Sequence, residues 1–297
     1  MGQAVRRFMP VDFEVDIILR FLEFDPEPNT IYDKRWDGND NLANKFPDLN
    51  DLPPELGLEV LSHLNATDLC LAACVWQELA ADEILWQGLC RNQWGYVSIY
   101  EEKKKKAFSY RKLYMDLDEG TLTFNSDAYK GMEYFIGHGL VTDRPDEIAS
   151  FFHHTNCLHP REMRKYLDSR RDVLEKLVEL QDYGNLFLPR ALRRFFQTIQ
   201  APNDRGNYLQ TLLEKFSRQF CQCNPHLNLT PDVVYILCFS LILLSVDLTS
   251  PHVKNKMSKR EFIRNVRNAL QRFDDELYGH LYDDIYLDGH IAPNTED

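Results

Sequence analysis

Apolar residues recur along this chain at helical spacing, with no sustained two-residue alternation of the kind that marks a strand. Leu56, Val60, Leu61 and Leu64 share one face and predict a short helix. Leu52-Pro53-Pro54-Glu55 opens it, because proline in a first turn pre-sets φ and gives up an N–H that has no helical partner. Asn65-Ala66-Thr67-Asp68 breaks the pattern, residues 69–76 predict a second helix, and residues 82–86 start a third. Further on, Met132, Phe135 and Ile136 form a stripe that stops at Gly137-His138-Gly139. Pro145-Asp146-Glu147 opens another helix, its acids suited to the positive end of the helix dipole. Val173, Leu174, Leu177, Val178 and Leu180 mark residues 172–183, and Leu192, Phe195, Phe196, Leu209, Leu212, Leu213, Phe216 and Phe220 continue the pattern. Thr230-Pro231-Asp232 predicts a start with a capping hydroxyl, followed by a fourteen-residue apolar run over 233–246. A bilayer span needs about 20 such residues, so that run predicts a buried helix. Residues 258–273 and 274–286 predict two more helices.

The expected fold is therefore all-α. Residues 1–50 read as an arm and linker, in which Ile17, Ile18, Phe21 and Leu22 predict one short amphipathic helix before a stretch rich in Pro, Asn and Asp. Residues 51–90 are a small unit dense in Leu, Ala, Cys and Trp, too short to bury all of its apolar surface alone. Residues 91–128 form a connector whose four-lysine run, 103–106, sits beside Glu101 and Glu102 as a solvated loop. Residues 129–291 form a larger multi-helix domain, expected as a right-handed superhelical stack, and 292–297 a tail.

Composition narrows the function. Hydrophobic residues make up 44% and aromatics 12%, enough for a real core. The formal net charge of -12 opposes a dedicated nucleic-acid binder, whose affinity comes from neutralising phosphates. That charge is uneven: residues 51–90 carry seven acids and no Lys or Arg, whereas 129–290 carry 21 of each sign. Arg190, Arg193 and Arg194 form a local basic cluster able to face a membrane transiently. No long apolar stretch follows Arg6 and Arg7, so no secretory signal is read and a cytoplasmic site is expected. Gly2 fits myristoylation, but Arg6 stands where that motif has Ser or Thr. The seven cysteines lack disulfide-framework or zinc spacing and read as reduced thiols. No GxSxG, GxxxxGKS or HExxH is present, so no cofactor, metal site or enzyme nucleophile is expected.

Leu52-Pro53, Leu56, Val60-Leu61, Leu64, Asp68-Leu69, Cys74-Val75-Trp76, Leu79 and Leu85-Trp86 together resemble the F-box. That resemblance implies a three-helix unit docking its apolar face onto the Skp adaptor of a cullin-type ubiquitin ligase. Leu52, Pro53, Leu56, Leu64 and Trp86 are the expected adaptor contacts or their supports, while Trp76 is expected in the unit's own core.

The second domain resembles the Sec-7 domain, the exchange unit for ARF-type GTPases. The residues that carry this are Phe216 to Asn224, Tyr235-Ile236-Leu237-Cys238-Phe239-Ser240, Leu244-Ser245-Val246-Asp247-Leu248 and Pro251-His252-Val253-Lys254. The resemblance implies a GTPase-binding groove lined here by Pro202, Asn203, Tyr235, Phe239, Leu244, Ser245 and Leu248. In the family, a loop Glu enters the nucleotide site and drives out GDP by like-charge repulsion against phosphate. This chain reads Ile199-Gln200-Ala201-Pro202-Asn203-Asp204-Arg205-Gly206, so Asp204 takes the Glu place, one methylene shorter and beside Arg205. Ser245 stands where the family has Asn. Asp204 fits either an exchange role or a helix cap, and Leu244 either groove or core. The implied function is a substrate-recognition component of a ubiquitin ligase whose Sec-7-like domain binds or regulates an ARF-family GTPase. The alternative is an active nucleotide-exchange factor that uses Asp204.

Overall fold

A computed structural model describes residues 48–100, 108–201, 207–270 and 274–292. The expectations for residues 1–47, including Gly2 and the helix at 15–24, lie outside these residues, as do the lysines 103–106. Among the described residues every regular element is a helix, and the extended pairing is a lone bridge between Trp94 and Thr155. The chain divides into two compact units, Met1–Trp86 and Gln87–Asp297.

In the first unit, a 3-10 turn, Leu49–Asp51, leads to α1 (Pro54–Ser62), α2 (Ala66–Ala72), α3 (Gln77–Ala80) and the start of α4 (Glu83–Gln93). Pro53 and Pro54 begin α1 as expected of prolines at a helix start. Asn65 separates α1 from α2 because its Oδ1 accepts from Asp68 N–H at 2.9 Å, closing a cap. Three helices were expected; a fourth short piece, α3, follows a non-helical Trp76 (φ -115°, ψ 62°). Leu61, Leu69, Ala80, Leu85 and Trp86 are buried.

The two tryptophans differ in burial: Trp86, expected as a contact or its support, is core, and Trp76, expected in the core, is not fully enclosed. Trp86 is 1% exposed, and its indole N–H donates to Ala80 O at 3.0 Å. Trp76 is only half-buried, and its N–H donates to Asp48 Oδ1 at 2.6 Å.

The second unit begins within α4. The segment expected as a connector instead contains α5 (Tyr110–Ser126), which buries Leu113, Tyr114, Leu117, Gly120, Thr121 and Phe124. Their period was hidden by interleaved Asp116, Asp118 and Glu119. Asp127 turns α5 into α6 (Ala128–Gly137), its carboxylate accepting from the N–H groups of Tyr129 (3.0 Å) and Lys130 (3.2 Å). The two helices meet closely: a Cβ on Gly131 would lie 2.3 Å from Phe124 Cα. Gly139, at φ +66°, ends α6 in the left-handed conformation that glycine adopts without strain. Then come α7 (Pro145–His153), α8 (Pro160–Ser169) and α9 (Arg171–Glu179), with α9 packed on α7 and α8, and α8 on α6.

The remaining helices are α10 (Leu188–Thr198), α11 (Asn207–Cys223), α12 (Pro231–Thr249), α13 (Lys259–Leu270) and α14 (Asp275–Asp288). α11 joins the two helix groups, since it packs on both α9 and α12. Phe195, Phe216 and Phe220 are buried between them, with Phe195 and Phe216 centroids 5.1 Å apart. Each such ring contributes about 1.5–3 kcal/mol by burial. α12 is the hub, touching α10, α11, α13 and α14.

At 19 residues α12 extends the expected fourteen-residue run and is long and apolar enough to cross a membrane. Its packing on four helices accounts for its inward apolar positions, while Phe239 and Leu243 stay exposed. Thr230 sits at its N-cap, but the hydroxyl makes no cap bond; Pro231 at the first position provides the start.

Candidate functional site

The loop between α10 and α11 carries the expected exchange position. Pro202, Asn203 and Asp204 lie outside the described residues. Its flanks are well defined. Ile199 is 1% exposed and anchors the end of α10. Arg164, from α8, donates through Nη1 to Ala201 O at 3.0 Å. On the far side, Arg171 donates to Thr211 Oγ1 at 2.9 Å and lies 5.7 Å from the centre of the Tyr208 ring. Burial pushes the Tyr208 phenol up to about 12, so it stays protonated at neutral pH. Sequence reading missed Arg164 and Arg171, because their partners lie 37 and 40 positions away and leave no local signal.

Tyr235, Phe239 and Leu243 recur at i, i+4 and i+8 along α12 and therefore form one stripe. Phe239 is 44% and Leu243 41% exposed, and the Tyr235 and Phe239 rings lie nearly parallel, 6° apart, at 6.5 Å. Leu248 is half-buried. Leu244 and Ser245, expected in the groove, are both fully buried, and the Ser245 hydroxyl donates to Ile242 O at 3.0 Å. They sit one and two positions past the exposed stripe, which turns them by about 100° per residue into the core. Leu243, which the sequence reading left out, takes the exposed place. Beyond α12, Asp247 holds the chain by accepting from Met257 N–H at 2.7 Å.

In the first unit, Pro53 is exposed, and Leu52, Leu56 and Leu64 are half-buried. Trp86 is core. The exposed large apolar side chains of this unit are Leu71 (64%), Val75 (66%) and Ile84 (66%), with Val60 less so (36%). Leu71 lies in the last turn of α2 and Val75 in the turn that follows it, and motif matching gave no sign that either is exposed.

Reactive chemistry is sparse. Among the described residues no group of three or more His, Cys, Asp or Glu could hold a metal. No cysteine among them forms a disulfide; Cys238 is buried, its thiol pushed well up by desolvation, and Cys74 is exposed. A cleft of about 390 Å³ among Leu186, Leu188, Leu227, Leu237 and Leu281 is apolar and has His226 as its sole ionisable lining residue. The basic cluster expected at a membrane is partly consumed within the fold. Arg193, whose side chain is 15% exposed, donates to Asp284 Oδ1 at 2.5 Å and to Gly289 O at 3.2 Å.

This helical scaffold, with a loop-and-helix site beside an apolar stripe, matches the Sec7 domain model over residues 114–288. The chain belongs to the Sec7-domain family and carries an F-box-like motif, matched over residues 49–92, ahead of that domain. It is similar to F-box only protein 8 of Homo sapiens, at 59% identity over 251 residues, which cover 83% of this chain and 79% of that one. Brefeldin A-inhibited guanine nucleotide-exchange protein 2 of Arabidopsis thaliana is 34% identical over 166 residues, covering 54% of this chain and 9% of that protein. The crystal structure of the Sec7p catalytic domain superposes with a TM-score of 0.52 at 28% identity, covering 57% of this chain and 95% of that one.

Proposed function

We propose that this protein recruits a Skp–cullin ubiquitin ligase through its F-box and uses its Sec7 domain to engage an ARF-family GTPase. The observation that carries the first half is the exposure of Leu71, Val75 and Ile84 on a small unit that has little apolar core of its own. An adaptor helix laid over such side chains removes them from water at about 25 cal/mol per Å². The Sec7 half is supported by the Tyr235–Phe239–Leu243 stripe, which offers an apolar, partly aromatic surface of the kind that anchors interfaces. Leu71→Asp with Val75→Asp is expected to abolish co-purification with the Skp adaptor while leaving the fold intact. Retained adaptor binding in that double variant overturns the ligase reading.

A second reading, active nucleotide exchange on ARF, is favoured by the similarity to a guanine nucleotide-exchange protein. In it Asp204 opposes the β-phosphate by charge, and the shorter side chain weakens the effect through lost reach. The discriminating measurement is GDP release from purified ARF. Stimulation that disappears in Asp204→Lys supports exchange, and no stimulation at any concentration leaves binding without exchange.

A further inference from the structure

The positive charge of the second domain is not evenly spent. Lys254, Lys256, Lys259, Arg260, Arg264 and Arg267 stand in residues 252–270 with Glu261 as the one acid. α13 turns Phe262 and Val266 inward, both 2% exposed. Arg260, Arg264 and Arg267 fall at i, i+4 and i+7, on the outward face. Together with Lys259 and Ile263 of α13 and Asp275 of α14 they line an open cleft of about 580 Å³. That is within the range of pockets for small polar ligands, roughly 300–1,000 Å³.

Local acids account for only part of this charge. Asp275 pairs with Arg267 at 2.9 Å, and Asp283 takes Lys259 at 2.6 Å. Glu261 is turned to Ser258, accepting from its N–H at 2.9 Å and its hydroxyl at 2.7 Å. Among the described residues Arg260 and Arg264 have no ion pair within 4 Å, Arg264 acting on Glu261 only from farther off, and both are exposed. Two like charges one turn apart lower helix stability slightly, and neither contributes to the core. Arg193 is the contrast, because its guanidinium is satisfied inside the fold.

We propose that this α13–α14 cleft binds a small ligand carrying several phosphates, of the inositol phosphate type, with Arg260 and Arg264 as the primary contacts. Guanidinium groups match phosphate oxygens with paired, parallel N–H donors, a geometry that ammonium groups lack. Arg267 and Lys259, already oriented by Asp275 and Asp283, close the cation set, and Ile263 offers an apolar contact for a ring. The cleft's limited size favours a headgroup over a nucleic-acid strand, and the chain's net charge of -12 opposes the latter. The inference is independent of the GTPase reading, since none of these residues lies on the α12 stripe or the α10–α11 loop.

The test uses the full chain. Binding is measured to phosphatidylcholine vesicles containing phosphatidylinositol bisphosphate, to plain phosphatidylcholine vesicles, to soluble inositol trisphosphate and to a short DNA duplex. Arg260→Glu with Arg264→Glu is expected to lower affinity for the phosphorylated ligand by about tenfold or more, with unchanged circular dichroism. Lys112→Glu with Lys130→Glu, the same charge change elsewhere, is expected to stay within about twofold. Binding of both vesicles and free inositol trisphosphate identifies the headgroup as sufficient; binding of vesicles alone places the ligand at a membrane. No binding to either, an equal loss in both double variants, or equal affinity for DNA overturns the proposal.

Discussion

At the scale of single residues, buried ionisable groups set how this protein responds to pH and to substitution. His153 is held below its usual value of 6.5, chiefly because burial disfavours the cation, with His154 and Arg194 adding repulsion. Its ring nitrogen faces the Gln181 amide at 3.0 Å. A histidine kept neutral in the fold binds fewer protons than the unfolded chain as the pH falls below about 6.5. Stability is then full above that value and declines as the pH drops through it. Denaturant titrations between pH 7.5 and 5 are expected to record that decline, and His153→Gln to flatten part of it. His290, also depressed by burial, accounts for a further part. The Arg193–Asp284 pair makes a sharper case. Arg193→Met leaves a carboxylate whose side chain is 8% exposed with Arg190 alone, at 3.9 Å, and costs at most about 3–5 kcal/mol. Adding Asp284→Leu is expected to recover most of that loss in thermal unfolding, as a double-mutant cycle reads it. Neither pair was legible in the sequence, because 91 positions separate Arg193 from Asp284 and nothing local distinguishes it from Arg190 or Arg194.

At the scale of elements, helix existence was easier to read than helix roles. Stripes such as Val173–Leu174–Leu177–Val178 stand out because inward faces repeat every three to four residues, and α9 follows them. α5 was lost to the connector because its acids sit among its apolar positions, and only packing on α6 reveals the buried set. Motif placed Ser245 in a groove and left Leu244 between groove and core, because motif order along a helix does not say which side faces out. The exposures along α12 settle that for Tyr235, Phe239 and Leu243. The α5–α6 contact allows a direct test. Gly131→Ala would drive a methyl group against the Phe124 backbone, which cannot rotate away as a side chain could. The expected loss is about 1–3 kcal/mol or more in chemical denaturation, although alanine is the better helix former.

At the scale of the whole molecule, two units of different character share one chain. The first carries the concentrated acidity and a small core, while the second holds most of the buried aromatic residues. A partner that binds the folded form of the small unit stabilises it by mass action, about 2.7 kcal/mol at a hundredfold excess over Kd. Hydrogen exchange is therefore expected to show amides of residues 54–86 protected by the Skp adaptor, with those of α12 unchanged. Protection that spreads evenly over both units, or none at all, contradicts this division. The overall plan of an F-box followed by a Sec7 domain was readable from sequence because it rests on sets of apolar positions along each helix.

The hub helix α12 has a further consequence for the life of the chain in a cell. As it leaves the ribosome, residues 231–249 look to the targeting machinery much like a membrane anchor, and only prompt folding hides them. A substitution that loosens the second domain does more than weaken a binding surface. It displays a nineteen-residue greasy stretch to chaperones and proteases, which recognise such stretches as damage. For a protein proposed to mark others for destruction, its own turnover is thus written into the helix around which its larger domain is built.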